Sequence, residues 1–274
     1  MIIDFHTHIF PDKIAEACVN SLTERSGEPH FSDGKESSLI ARLDEAGVDF
    51  SVNLPVLTKK EQFTSITAFG ESINEKFYSG GRILSFGGIH PDDECYEEHL
   101  HILKEKGFLG IKIHPDYQHE RIDSEKFVRI IALAKSLGLI TLTHAGYDNV
   151  YPEDTKCTPS RILRLLDKIG GYDKLVLAHL GSLLFFDEVY ESLAGEDVYF
   201  DTANVFGRTD DETVIKIIEK HGDRKVLFAT DSPWTKINEY VSHLHSLGLS
   251  PESEERILGA NALELLGIKD GRRL

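Results

Sequence analysis

Sulfur is scarce in this chain and positive charge is in deficit. Three cysteines, Cys18, Cys95 and Cys157, stand far apart among 274 residues with no CxxC pair. An odd, scattered set excludes a disulfide framework and reads as free thiols in a reducing compartment. Lys and Arg number 30 against 46 Asp and Glu, a net charge of −16 with neutral His. Such a surface repels phosphate backbones and anionic membranes, and no basic cluster offers a local exception, so neither nucleic acid nor membrane is an expected partner. The N-terminal MIIDFHTHIFPDK has no basic segment followed by an apolar stretch, and no apolar run approaches the ~18 residues of a membrane span. A cytoplasmic location is the default expectation. There is also no repeat, low-complexity tract or Pro/Ser-rich linker; Ser26 to Ser38 reads as a loop, and the chain as one domain over residues 1–274.

What is present is a soluble composition, 41% hydrophobic and 28% charged, with 13 His. Short β-rich apolar runs recur at Ile2–His8, Phe50–Val56, Ile83–His90, Leu109–His114, Leu139–His144, Leu175–Leu180, Val198–Thr202 and Val226–Asp231. Helical patterns fill most of the gaps. After Asp123, Phe127, Ile130, Ile131, Ala134 and Leu137 recur at helical spacing before Gly138, and a last helix begins at Pro251 and ends at Gly267. The alternation predicts a parallel sheet of βα units, and eight strands in ~250 residues match one (β/α)8 barrel, with a doubly wound open sheet as the competing arrangement.

A barrel gathers its chemistry at the C-terminal ends of its strands. Those ends carry His6 and His8, His90, Lys112 and His114, His144, His179 and Asp231. Strand alternation predicts Asp4, His6 and His8 on one face and Ile3, Phe5 and Thr7 on the other, the apolar face meeting the helices. Buried imidazoles and a carboxylate need a partner, and a cation supplies one. An HxH pair presents two nitrogen ligands side by side, which suits Zn or a similar first-row ion. Any one of these histidines is explained by an ordinary hydrogen bond; their joint appearance at the ends of strands one, five, six and eight points to a metal site.

DFHTHIFP, GIKIHP, LTHAG, LAHLGS, ATDSPW and ILGANALELLGI, in this order from Ile2 to Ile268, resemble the amidohydrolase superfamily, most closely its amidohydrolase-2 branch of metal-dependent hydrolases and related decarboxylases. The resemblance implies a (β/α)8 barrel with His6, His8, His144 and Asp231 as metal ligands. It also implies that His179 assists catalysis beside one ion or binds a second. Lys112 matches a lysine that bridges two metals when carboxylated; one ion, most simply Zn, is the expectation, and two if Lys112 is carboxylated. Asp231 and His179 are then the candidate catalytic residues, Asp231 accepting a proton from the attacking water and His179 stabilising the oxyanion. His114, Tyr117, Asn204 and Trp234 are candidate substrate contacts, with Asn53, His90 and Tyr147 also at strand ends, and Arg121 and Arg208 the expected rim arginines.

Hydrolysis of an amide, lactone or ester of a small molecule is the leading expectation. Non-oxidative decarboxylation of an unsaturated or aromatic acid is its rival, a phosphoesterase lacks a basic cradle, and a non-catalytic binding barrel is the reading from another class. A homodimer is the default oligomer, since most soluble oligomers are symmetric homomers.

Overall fold

A computed structural model describes residues 1–268 and the backbone of 269, 272 and 273. Eight parallel strands follow one another: β1 (Ile3–Thr7), β2 (Phe50–Asn53), β3 in two pieces (Ile83–Ser85 and Gly87–Gly88), β4 (Gly110–Ile113), β5 (Ile140–Thr143), β6 (Leu175–Leu177), β7 (Tyr199–Asp201) and β8 (Val226–Leu227). Each pairs in parallel with the next, β3 joining β2 through its first piece and β4 through its second. Backbone bonds from Phe5 N to Phe228 O (2.9 Å), Asp231 N to His6 O (2.8 Å) and His8 N to Ser232 O (2.7 Å) join β1 to the chain leaving β8. This is the (β/α)8 barrel that the strand count predicts. The strands are shorter than the apolar runs because the last residues of each run have left the ladder to form the rim.

The expected helix after Asp123 is Glu125–Ser136, and it starts there because the Ser124 side chain accepts from Phe127 N. Helix also covers the expected segment between Pro251 and Gly267, with a π-helical turn at Arg256–Ala260 between its two α-helical parts. Asn261 on that helix donates to the carbonyls of Asp223 (2.6 Å) and Val226 (2.8 Å), so it anchors the start of β8.

Two apolar layers hold the barrel. The outer one packs Ile83, Ile111, Ile113, Leu177, Phe200 and Phe228 against helix residues such as Leu39, Leu103 and Ile130. The inner one joins Ile3 and Phe5 with Val52, Leu84, Phe86, Leu142, Val176 and Leu227, contributions from six strands that can meet only in the lumen, with Leu265 and Leu266 of the last helix beside them. Phe5 meets Phe86 edge to face at 5.9 Å. Gly110 makes the room, since a Cβ there would lie 2.6 Å from the Phe86 ring.

This corrects the simple alternation expected of the first strand. Ile3 and Phe5 face the lumen, and Asp4 does not. The register against β2 shifts between Asp4 and Thr7. A bulge of that kind turns the following side chains over, which lets His6 and His8 share the lumen side with Phe5. Asp4 instead accepts from Thr230 Oγ1 (2.6 Å), Thr230 N (3.0 Å) and His6 N (3.2 Å), tying the end of β1 to the residue before Asp231.

Candidate metal centre

His6, His8 and Asp231 converge at the rim end of the lumen. Asp231 Oδ1 lies 3.1 Å from His8 Nε2 and 3.5 Å from His6 Nε2. Across from them His144 Nδ1 and His179 Nε2 face each other at 3.0 Å. Lys112 Nζ sits 3.0 Å from His6 Nε2. Backbone conformation helps to aim two of these groups: His179 (φ 61°) and Asp231 (φ 71°) are left-handed, a region non-glycine residues rarely hold and one costing about 1–3 kcal/mol. Bonds from His179 N to Asp201 Oδ1 (2.9 Å) and from Asp231 N to His6 O (2.8 Å) hold them there.

The outer nitrogens reveal where the lone pairs point. His8 Nδ1 donates to the Leu54 carbonyl (2.9 Å) and His179 Nδ1 to the Ala203 carbonyl (2.7 Å), while His6 Nδ1 donates to Asp201 Oδ2 (2.8 Å). A carbonyl only accepts, so the proton of each neutral ring is spent outward and a bare nitrogen faces the centre. Burial pushes the His6 and His144 imidazoles down, toward the neutral form. Burial alone would raise the Asp231 carboxyl, but His6, His8 and His179 outweigh it and hold the group below the usual carboxylate range. With its Nδ1–H given to Leu54, the His8 ring turns Nε2 toward Asp231 Oδ1 3.1 Å away, and a cation between the two would take a lone pair from each. The donor set of imidazoles and one carboxylate fits a first-row divalent ion. Burial lowers Lys112 to about 8, against the opposing pull of Asp201 and Asp231.

Above this cluster opens a cavity of about 730 Å³. Its walls are largely apolar and aromatic, including Phe69, Tyr117, Tyr147, Leu183 and Trp234, and Arg25, Glu28, Asp148 and Arg208 bring charge to it. Arg208 is paired with Glu28 at 2.7 Å. Arg25 donates to the Tyr151 hydroxyl (3.0 Å), lies over the Tyr117 ring, and among the described residues has no carboxylate at ion-pair distance.

The family model Amidohydro_2, described as amidohydrolase, matches residues 3–268. The chain belongs to the amidohydrolase family. Among curated proteins none matches the sequence. Solved structures do resemble it. A 5-carboxyvanillate decarboxylase from Novosphingobium aromaticivorans, complexed with manganese and 4-hydroxy-3-methoxy-5-nitrobenzoic acid, has a TM-score of 0.73 at 15% identity over 98% of this chain and 96% of its own. A 2,6-dihydroxybenzoate decarboxylase complexed with 2,6-dihydroxybenzoate has 0.72 at 15% identity over 97% and 99%. A probable 2-pyrone-4,6-dicarboxylic acid hydrolase from Acinetobacter baumannii, with citric acid bound, has 0.68 at 16% identity over 97% and 99%. At these identities the likeness is one of fold.

In this amidohydrolase His6, His8, Lys112, His114, Tyr117, His144, Tyr147, His179, Asn204, Asp231 and Trp234 all line the one cavity. Asn53, His90 and Arg121 do not. Asn53 accepts from Ile9 N (3.0 Å) and donates to Ser85 (3.0 Å), and His90 accepts from Asp92 N (3.1 Å), so both organise loops. Arg25 takes the rim place expected of Arg121. Asp201 was not anticipated from the sequence. It ends β7, wholly buried, and accepts from His6, His179 N and Ala203 N (3.0 Å). Its signal was its place: a carboxylate two residues past Tyr199, at a strand end for which, as for that of β2, the sequence suggested no ligand or catalytic group.

The loop after His144 depends on Gly146. Its φ is +94° and an added Cβ would lie 2.1 Å from Leu183 N. Gly146→Ala is expected to lower unfolding free energy by about 1–3 kcal/mol from backbone strain alone, before the clash is counted. Denaturant titration checks this, and an unchanged midpoint would show that the loop is not braced there.

Proposed function

We propose that this chain, acting as one barrel domain, is a metal-dependent hydrolase that adds water across a carbonyl-type bond of a small ring-bearing substrate. The observation carrying the reading is the placement of Asp231, an ionised carboxylate at the floor of a ring-sized cavity and within 3.5 Å of two inward imidazole nitrogens. His6, His8, His144 and Asp231 would hold a divalent ion, one in number and Zn by donor type, with manganese the second ion to test. Bound there, the ion supplies a Lewis acid that polarises water or a carbonyl and offsets developing negative charge.

The protein's own groups do the proton work. Asp231 takes the proton of the attacking water and passes it to the leaving group. His179 stabilises an oxyanion only as the imidazolium, because its Nδ1 proton already serves the Ala203 carbonyl and a second must sit on Nε2. His114, Tyr117, Asn204 and Trp234 contact the substrate above. Lys112 serves the first ion's surroundings as a cation, or a second ion if carboxylated.

Decarboxylation of a ring-bearing acid is the second reading, and the structural neighbours support it as well as hydrolysis. The specific observation in its favour is Arg25, a cavity cation with no carboxylate partner, set among aromatic walls. Metal-loaded protein incubated in ¹⁸O-water with lactones, amides and aromatic acids separates the two. Labelled acid product is the expected result; carbon dioxide released from an aromatic acid with no labelled acid product from any substrate would replace hydrolysis by decarboxylation.

A further inference from the structure

Of the four imidazoles around the centre, three have their outer nitrogen bonded and one does not. His144 Nε2 is buried without a hydrogen-bond partner. Facing it at 4.0 Å is Asp116 Oδ2, also buried and also without a partner. The other oxygen of Asp116 is committed, accepting from Lys156 N at 3.1 Å. Asp116 itself is fully buried, on the turn that follows β4.

The two unmet atoms share a cause. His179 spends its Nδ1 proton on the Ala203 carbonyl, so in a neutral pair its Nε2 accepts, and His144 must donate from Nδ1 across the 3.0 Å between them. That leaves His144 Nε2 bare toward Asp116, whose carboxyl burial pushes up to about 7; when that carboxyl is ionised, two acceptors face each other in a dry site, an arrangement with a definite cost. If His144 instead turns the Nδ1 lone pair to a cation, its single proton moves to Nε2. There it points at Asp116 Oδ2, and closing the 4.0 Å gap to hydrogen-bond length satisfies both unmet atoms with no proton gained or lost by the ring.

We infer that Asp116 is a positioning residue for the metal centre, selecting the Nε2–H tautomer of His144 and so presenting its Nδ1 to the ion. The inference rests on the proposed metal site, and it concerns a residue outside the cavity lining that the expected ligand set leaves out. Partners of this kind typically govern metal affinity by about 10- to 100-fold.

Asp116→Asn gives the sharp test. With the Lys156 N–H holding its carbonyl oxygen, the new amide nitrogen faces His144 Nε2 and donates to it, locking the tautomer that cannot ligate. Zinc affinity, measured by competition with a chromophoric chelator, should fall by about 10- to 100-fold, while the melting temperature of the metal-free protein should stay level or rise. In ¹⁵N-histidine spectra of the unaltered protein, the His144 proton should move from Nδ1 to Nε2 on zinc loading, and in the variant it should resist that move. Equal zinc affinity in the two proteins, or one His144 tautomer with and without zinc, would overturn the inference while leaving the metal site standing. An unaltered protein that binds no divalent ion would overturn the functional reading beneath it.

Discussion

Asp231→Asn should lower kcat by about 10²- to 10⁴-fold, the range that a positioned proton acceptor contributes. Asparagine keeps the volume and leaves one oxygen able to face the centre, so the three imidazoles retain most of the bound ion. What disappears is the charge. Asp231 is the group that His6, His8 and His179 together keep ionised against the pull of burial, and an amide cannot take up a proton at working pH. The measurement is kcat and KM for the substrate found in the labelled-water panel, with bound metal determined on the same sample. A variant that kept its ion and its full turnover would remove Asp231 from proton transfer and leave it a ligand only. A loss of ion in step with a loss of turnover would assign the residue to binding alone.

The parts of this architecture that could be read in advance share one property: they follow from local pattern. Apolar runs ending in His or Asp gave strand ends, and strand ends in a barrel meet at one rim, so His6, His144, His179 and Asp231 could be assembled from spacing and motif. The side on which the first strand presents its residues could not. Alternation places Asp4 with His6, whereas the register shift before Thr7 separates them, and such a shift arises from pairing with β2 rather than from residues 3–7 themselves. Asn53 and His90 show the same limit from the other side. Asn53 ends β2 and His90 ends the third apolar run, yet the first is held by Ile9 N and Ser85 and the second by its own turn. Asp116 and Asp201 escaped notice because each matters only through a histidine far away in the chain, 28 and 195 positions distant respectively.

Asp201→Asn is expected to weaken metal binding by at least about 10- to 100-fold with only a small change in stability. Oδ1 of the carboxylate receives two backbone N–H groups, from His179 and Ala203, and the carbonyl oxygen of asparagine can receive both. The amide nitrogen is then forced into the place of Oδ2, 2.8 Å from His6 Nδ1. Where the carboxylate accepted a proton, the amide offers one, so His6 must present a bare Nδ1 and carry its proton on Nε2. That is the nitrogen turned toward Asp231 and Lys112, and once protonated it can no longer ligate. It would also bring an N–H against the Lys112 ammonium 3.0 Å away, which favours loss of the lysine's proton and removes a charge from the floor of the cavity. The same substitution in a Ser-His-Asp triad acts in this way, through the wrong tautomer rather than through collapse of the site. Zinc affinity, the His6 ¹⁵N pattern and a melting curve, taken together, decide the matter. A variant that melts as the unaltered protein does and binds zinc equally well would mean that His6 is oriented by packing alone.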